Sequence, residues 1–288
     1  MREAVIVSTA RTALTKAARG AFNNTHGVKL AAHSIEHAMA RANIDPSEID
    51  DVILGNASHA GTTGMNIGRN AAIAAGCPVT TSGTTVNRFC SSGLQTLAMG
   101  AGRIIAEGVD IMVTGGVESI SLPGTSDPSE SVEPELYSRY PGLWYPMIKT
   151  ADIVSSRYNI SREAQDEYSL ISQQRTAAGQ EVGKFDDEIV PMNTVMKVKN
   201  KETGEITEHA AVADRDDCNR PSTTIEGLAG LAPIMGEDAF ITAGNASQLS
   251  DGSSAQVLME KSEAERRGLD ILGTFRGFAV GGCEPDEM

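Results

Sequence analysis

The sequence predicts an α/β protein in which strands alternate with helices around a largely parallel sheet. Short apolar runs at 4–9, 52–54 and 111–114 are typical of buried strands, and patterns with helical spacing separate them. Strands that alternate with helices favour βαβ units with right-handed crossovers, packed in layers that cover both faces of the sheet. At 288 residues the chain is long enough for two domains with sizeable cores.

The elements of the first region each have their own signal. Asp45 precedes Pro46 and lies three residues before Glu48, which is the pattern of a capped helical turn. Residues 66–75 have a helical pattern that Gly76 ends. The first helix presents an apolar face formed by Val28, Ala31, Ile35 and Met39.

The stretch around Cys90 carries the clearest chemical signal. A β-prone segment at 79–86 precedes it, and a helical pattern follows it as far as Gly108. Cys90 is therefore predicted on a strand-to-helix turn, where free N–H groups and the positive end of the helix dipole favour a thiolate. The small residues at 91–93 would let a substrate approach the start of the helix. The alternative is a buried structural cysteine.

The composition changes from Leu122 onward. Prolines alternate with acidic residues, so the segment 123–146 can neither continue a helix nor join a central strand. Its aromatic residues indicate that this excursion packs on its own domain or on another subunit. Beyond it, Ser161 is predicted to cap a long helix, and 185–192 is predicted to be β-like. The remaining predicted elements are strands at 194–199 and 255–259, helices at 223–231 and 262–267, and a strand at 273–280.

The composition also narrows the classes of function. The net charge is −14 without any block of Lys or Arg, which argues against a nucleic-acid partner. No apolar run approaches the length of a membrane span, and the first residues have the pattern of a strand, so the sequence predicts a cytosolic protein without a membrane partner. The four cysteines and five histidines lack paired spacing, so neither a metal site nor a disulfide framework is indicated.

Several motifs together resemble the thiolases, enzymes that make or cleave 3-ketoacyl-CoA. The string Val-Asn-x-x-Cys-x-Ser-Gly-Leu-Gln at 86–95 is similar to the acylated-cysteine motif of that family. Further thiolase-like strings are Gly-Gly-Val-Glu-Ser-Ile-Ser at 115–121 and Thr-Ala-Gly-Asn-Ala-Ser at 242–247. The region between them has insert motifs that resemble the thiolase loop domain at 160–167, 172–174, 185–191 and 220–224.

The resemblance implies the thiolase fold, which consists of two duplicated halves. The implied domains are an N-terminal half with the nucleophile at 1–121 plus 246–270, and an inserted α+β loop domain at 122–245 that binds CoA and contacts other subunits. Residues 271–288 would begin the second half, since 281–288 resembles the turn at its start. Most of that half, with its histidine and its second cysteine, is expected to be absent from this sequence.

The resemblance also implies an acyltransferase function. Cys90 would carry the acyl group during the cleavage of 3-ketoacyl-CoA or the reverse condensation, and its backbone N–H would be one donor of an oxyanion hole. CoA and acyl-CoA would be substrates, no permanently bound cofactor is implied, and the assembly would be a homodimer or homotetramer. The positions that match the CoA channel are Met147, Arg220, Ala243 and Ser247.

Two other functions stay open at this point. One is a thiolase-fold protein that binds CoA or lipid without turnover, and the other is a ketoacyl-carrier-protein synthase, which the insert motifs disfavour. Pro146 stands where acetoacetyl-specific thiolases have a histidine, so the preferred acyl length stays open too. Because all five histidines precede residue 210 and none lies in the family's histidine motif, the 288 residues by themselves are expected to give at most trace thiolysis.

Overall fold

The computed structural model describes residues 2–124 and 128–288 and divides the chain into two compact units. Part of the predicted excursion at 123–146 thus lies outside the described residues. The first unit comprises Met1–Thr125, Phe185–Cys218 and Leu249–Phe278, and the second comprises Ser126–Lys184, Asn219–Gln248 and Ala279–Met288.

The first unit is built on one mixed sheet. Its strands are β1 (Ala4–Arg11), β2 (Thr15–Lys16), β3 (Asp51–Gly55), β4 (Ser82–Val86), β5 (Ile111–Glu118), β8 (Ser250–Glu260) and β9 (Gly273–Thr274). A separate two-stranded hairpin, β6 (Met192–Lys199) and β7 (Ile206–Ala213), lies between β5 and β8 in the chain. The order in the sheet is β4-β3-β5-β8-β1-β9. β3 is parallel to β4 and β5, whereas β8 is antiparallel to both β5 and β1.

The direction of β8 is the main departure from the predicted topology. β1, β3, β4 and β5 all run in one direction, as the βαβ pattern predicts, and β8 runs against them between β5 and β1. The chain reaches β8 from the second unit and not through a helical crossover. The crossover rule therefore does not set its direction.

Helices cover both faces of this sheet. Those of the first region are α1 (Gly27–Arg41), α2 (Ile67–Ala74) and α3 (Ser92–Gly102), and α8 (Lys261–Arg267) follows β8. The helices of the second unit are α4 (Pro134–Arg139), α5 (Met147–Arg157), α6 (Arg162–Glu181) and α7 (Ile225–Ala229). Alternate residues of each strand point to opposite faces. Val52 and Leu54 belong to the larger core with α1 and α2, while Ile53 between them belongs to the smaller core with Ile104, which follows α3.

Helix ends are predicted correctly from the sequence where a side chain caps the backbone. Asp45 accepts from Ser47 N–H, and Glu48 accepts in turn from the Asp45 N–H, so the predicted capped turn is confirmed. The helix after Cys90 ends at Gly108 as predicted, because that residue adopts φ +82°. Ser161 caps α6 through a hydrogen bond from Ala164 N–H.

Two predicted strands are wrong over most of their length. Residues 185–188 form turns, and the hairpin strand begins only at Met192. Ile189 and Val190 are buried, and an isolated parallel bridge joins Ile189 to Arg11 at the end of β1, with Val190 N–H donating to Arg11 O at 2.8 Å. Only Gly273–Thr274 of the segment predicted at 273–280 is a strand. In both segments apolar composition reflects burial or contact more than sheet pairing.

The second unit consists mainly of helices, and its aromatic residues find partners within it. The rings of Tyr137 and Trp144 lie 5.8 Å apart, and Lys149 Nζ lies 3.6 Å from the centre of the Tyr145 ring. The predicted domain boundaries stay a prediction; by internal contacts, the hairpin region Phe185–Cys218 lies with the first unit instead of the insert. Among the described residues, no helix is both long and apolar enough to span a membrane.

The pH dependence of stability can be predicted at His33 on α1. Its Nε2 lies 3.3 Å from Val190 O, and its ring centre lies 4.5 Å from that of His37. Burial lowers the pKa of His33, and the neighbouring His37 lowers it further, against the hydrogen bond to Val190 O and the charge of Glu36. The folded state therefore binds its proton less readily than the unfolded chain.

We expect the free energy of unfolding to fall as the pH drops from about 7 through the ordinary histidine value near 6.5, because the unfolded chain takes up this proton first. The loss should end below the folded-state pKa. Urea unfolding at a series of pH values measures it, with His33→Gln predicted to weaken the dependence. Equal dependence in the wild type and His33→Gln would contradict this assignment.

Candidate active site

Cys90 lies on a tight turn between a strand and a helix, as the sequence predicts. β4 ends at Val86 and α3 begins at Ser92. Phe89 in the turn has φ +46°, a left-handed conformation that is rare for a bulky residue. Phe89 is 72% exposed and Cys90 is exposed as well. Cys90 is therefore not a buried cysteine in this structure.

Side chains on either side of Cys90 hold this turn. Asn87 Oδ1 accepts from Phe89 N–H at 2.7 Å, and Ser92 Oγ accepts from Arg88 N–H at 2.8 Å. Ser91 N–H donates to Arg88 O, and Ser92 N–H donates to Phe89 O. Both N–H groups at the start of the helix are therefore used in hydrogen bonds within the turn. They are less available to the Cys90 sulfur than the sequence predicts.

The start of α3 packs directly on the carboxyl end of the parallel strands. A Cβ at Gly55, the last residue of β3, would lie 2.5 Å from the Ser92 carbonyl carbon and 2.6 Å from Gly93 N. Gly116 of β5 faces the same helix start at a looser distance, since a Cβ there would be in ordinary contact, 3.7 Å from Gly93 Cα. Gly55 above all thus lets the Cys90 turn reach the edge of the sheet where parallel α/β proteins bind their ligands.

A loop after β3 connects this turn with the end of β5. The Glu118 carboxylate accepts from Asn56 Nδ2 at 3.0 Å and from Ala57 N–H at 2.8 Å. Asn87 Nδ2 donates to Ala57 O at 3.0 Å. Burial raises the pKa of Glu118, although hydrogen bonds from Ala57, Ser58 and Asn56 oppose the shift.

Asn56 is not singled out by the sequence patterns, and Glu118 is noted there only as part of the thiolase-like string at 115–121. Each lies at or just beyond the end of a buried strand, Asn56 after β3 and Glu118 as the last residue of β5. Because the carboxyl ends of parallel neighbours meet at one edge of the sheet, that placement was the signal that could have joined them.

The predicted CoA-binding residues all lie in the second unit. Met147 is the first residue of α5 and is about half exposed. Arg220 is exposed, and its backbone is fixed by a 2.7 Å hydrogen bond from its N–H to Gln173 Oε1. Cys90 lies in the first unit, so the nucleophile and these residues belong to different compact parts of the chain.

Ala243 and Ser247 are exposed on a loop that two carboxylates hold, those of Asp152 and the buried Asp166. Asp152 Oδ1 on α5 accepts from the N–H groups of Phe240 and Ile241 at 2.8 and 3.0 Å. Asp166 Oδ1 on α6 accepts from Asn245 Nδ2 at 3.1 Å. The loop is thereby tied to both α5, which carries Met147, and α6, which carries Gln173.

No group of three or more His, Cys, Asp and Glu side chains in the described ranges 2–124 and 128–288 could hold a metal ion. The groups that the structure does place at the turn are a thiol, backbone amides and hydrogen-bonding side chains. These groups suit nucleophilic acyl transfer at sulfur.

The four cysteines should differ in reactivity. Burial raises the pKa of Cys77 to about 11 and also raises that of Cys218. A rise from about 9 to 11 reduces the thiolate roughly a hundredfold at neutral pH. With limiting iodoacetamide we expect labelling first at Cys90 and Cys283, which are exposed, and fastest at Cys90.

Peptide mapping of the native protein measures these rates, and the protein unfolded in urea serves as the control in which all four cysteines should react alike. Cys283 is the matched native comparison, because it is exposed but does not lie at the start of a helix. Native labelling that is equal at all four cysteines, or faster at Cys283 than at Cys90, would contradict the assignment.

The comparisons with known proteins agree with this geometry. Residues 4–262 match the family model for the thiolase N-terminal domain. The chain is 40% identical to the peroxisomal 3-ketoacyl-CoA thiolase 1 of Arabidopsis thaliana, over 99% of this chain and 64% of the relative. It is 39% identical to the 3-ketoacyl-CoA thiolase of Bacillus subtilis, over 100% of this chain and 73% of the relative.

These relatives correct the predicted location. The 3-ketoacyl-CoA thiolase of Homo sapiens, 39% identical over 99% of this chain and 66% of the relative, is named as peroxisomal, as are the relatives from Arabidopsis thaliana and Mus musculus. The prediction of a cytosolic protein is therefore wrong: it rested on the pattern of the first residues, whereas relatives named as peroxisomal match the chain as well as the bacterial relative does.

The family itself follows from both comparisons. The matched region includes the nucleophile turn, the loop held by Glu118 and the returning strand β8. The chain spans 64% of the length of the Arabidopsis relative and 73% of that of the Bacillus relative. Together with the mixed sheet and the helices that cover it, these matches show that the chain belongs to the thiolase family.

Proposed function

We propose that this chain carries the nucleophile of a thiolase-type acyltransferase. The reaction is the CoA-dependent cleavage of 3-ketoacyl-CoA to acetyl-CoA and a shortened acyl-CoA, or the reverse condensation. The observation that supports it best is the exposed Cys90 thiol on a left-handed turn at the start of α3. Several relatives are named 3-ketoacyl-CoA thiolases, which supports the same reaction.

In the cleavage direction, the Cys90 thiolate attacks the C3 carbonyl of the substrate. The bond from sulfur to C3 forms, and the Cys90 backbone N–H is the proposed donor to the resulting oxyanion. The C2–C3 bond then breaks, its electron pair stays on C2, and C2 takes up a proton to give acetyl-CoA. The acyl group remains on Cys90 as a thioester.

A CoA thiol completes the cycle. It gives up the proton that balances the one taken up at C2, attacks the thioester and leaves with the acyl group, so the Cys90 thiolate is restored. The resemblance assigns the accompanying proton transfers to a histidine and a second cysteine of the family's second half. Within these 288 residues we assign the nucleophile and one oxyanion donor.

CoA and acyl-CoA are the proposed ligands of the second unit, and no permanently bound cofactor is proposed. Since the chain carries a net charge of −14, a polyanionic nucleotide needs a local cation, and the exposed Arg220 guanidinium suits phosphate geometry. Met147, Ala243 and Ser247 are proposed to contact the rest of the CoA molecule. We also propose a homodimer or homotetramer, with the segment 123–146 in its contacts.

The test uses the full-length protein and separates chemistry from binding. Cys90→Ala should lower kcat for thiolysis by about a thousandfold or more, because the nucleophile is lost, while CoA binding is retained. Arg220→Ala should raise the KM for CoA about tenfold with a smaller effect on kcat, because a phosphate contact is lost in the ground state as well. Steady-state thiolysis and calorimetric titration with CoA measure the two effects.

Arg175→Ala is the matched control, since Arg175 is an exposed arginine of the same unit that is neither a proposed CoA contact nor part of the segment 123–146. It should leave both constants unchanged. CoA binding by a wild-type protein that shows no turnover, together with no effect of Cys90→Ala, would instead identify a thiolase-fold protein that binds CoA without catalysis.

A further inference from the structure

We propose that Glu118 is a positioning residue for Cys90, acting through Ala57 and Asn87. The inference rests on the proposed function, because it concerns how the same nucleophile is held. It assigns a role to the glutamate of the Gly-Gly-Val-Glu-Ser-Ile-Ser string at 115–121, which the acyl-transfer steps do not use.

The turn that carries Cys90 has a strained backbone that costs free energy. Phe89, with φ +46°, has a backbone conformation that costs a residue with a side chain about 1 kcal/mol or more. Its ring is 72% exposed and so has little packing to offset that cost. Such a conformation persists only where surrounding contacts fix it. Cys90 follows directly, so its direction depends on those contacts.

A hydrogen bond with the Asn87 side chain fixes the backbone of Phe89. Asn87 Oδ1 accepts from Phe89 N–H at 2.7 Å, a bond between residues two apart that closes the turn. The Asn87 amide can make this bond only when its Oδ1 points toward Phe89. Its Nδ2 then points to Ala57 O, to which it donates at 3.0 Å. The orientation of Asn87 is therefore set by Ala57.

Ala57 is in turn held by Glu118. Ala57 N–H donates to Glu118 Oε2 at 2.8 Å, and the carbonyl oxygen of the same residue accepts from Asn87 Nδ2 at 3.0 Å. Ala57 is thus fixed by Glu118 through its N–H and orients Asn87 through its carbonyl. If Glu118 releases Ala57, the carbonyl that orients Asn87 is free to turn.

A carboxylate is suited to this position because it only accepts hydrogen bonds. Glu118 Oε1 accepts from Asn56 Nδ2 at 3.0 Å while Oε2 accepts from the loop backbone. Asn56 is buried and also donates to Val117 O and, through its N–H, to Val86 O. The ends of β3, β4 and β5 are therefore joined at one point, next to the turn that carries Cys90.

The test compares Glu118→Gln with the wild type in the full-length protein. Glutamine has the same shape but places an NH2 group against one of the N–H donors, so the loop peptide should be released. We expect kcat for thiolysis to fall about tenfold or more with the KM for CoA changed less than about twofold. The rate of Cys90 alkylation by iodoacetamide, relative to Cys283, should fall as well.

Glu260→Gln is the matched control. Glu260 is also buried, and its carboxylate accepts from the N–H groups of Ser262 and Glu263 at the start of α8. Any general loss of stability from replacing such a carboxylate should appear in both variants by thermal unfolding. Only Glu118→Gln should change kcat and the relative alkylation of Cys90.

A second background tests the route through Phe89. Glycine adopts positive φ without strain, so a Phe89→Gly protein should depend less on the network. Glu118→Gln should then slow Cys90 alkylation by a smaller factor in Phe89→Gly than in the wild type. An equal factor in both backgrounds, or no effect beyond that of Glu260→Gln, would overturn the proposal.

The alkylation readout does not require thiolysis. If the wild type has no thiolase activity but Cys90 alkylation still depends on Glu118, the proposed function fails and the positioning role stands. If the wild type is an active thiolase whose kcat and alkylation are insensitive to Glu118→Gln, the positioning role fails alone.

Discussion

The contact on which the rest of the site depends is the direct packing of the start of α3 against the end of β3. A Cβ at Gly55 would lie 2.5 Å from the Ser92 carbonyl carbon, so a side chain there would push the helix away from the sheet. With glycine, the backbone around the nucleophile reaches the strand ends. The turn between β4 and α3 is then so short that Phe89 must take a left-handed conformation, and Cys90 is left exposed beside it.

That constraint explains why polar residues collect at this edge of the sheet. A strained turn is stable only if neighbouring groups fix its backbone. Here Asn87, the loop after β3 and Glu118 do so through hydrogen bonds that cross from one parallel strand to the next. Burial raises the pKa of the partly buried Glu118, while hydrogen bonds from Ala57 and Asn56 oppose that shift. The same hydrogen bonds therefore satisfy the carboxylate and hold the turn that carries Cys90.

Much of this could be predicted from the sequence, and the failures have physical causes. Caps and strand-to-helix turns depend on neighbouring residues, so Asp45, Ser161 and the position of Cys90 are predicted correctly. The direction of β8 depends on where a distant segment returns to the sheet. The link from Glu118 to Asn87 spans three strand ends, and no local pattern in the sequence records it. Ile189 and Val190 mimic a strand because burial and pairing favour the same residues.

The proposed reaction requires the Cys90 sulfur to take the acyl group. Incubating the full-length protein with acetyl-CoA, quenching it in acid and mapping its peptides by mass tests this directly. We expect an acetyl group on the peptide that contains Cys90, removable by hydroxylamine as a thioester and absent from Cys90→Ala. Acetylation at Cys77, Cys218 or Cys283 instead, or active thiolysis without any acetyl group on Cys90, would contradict it.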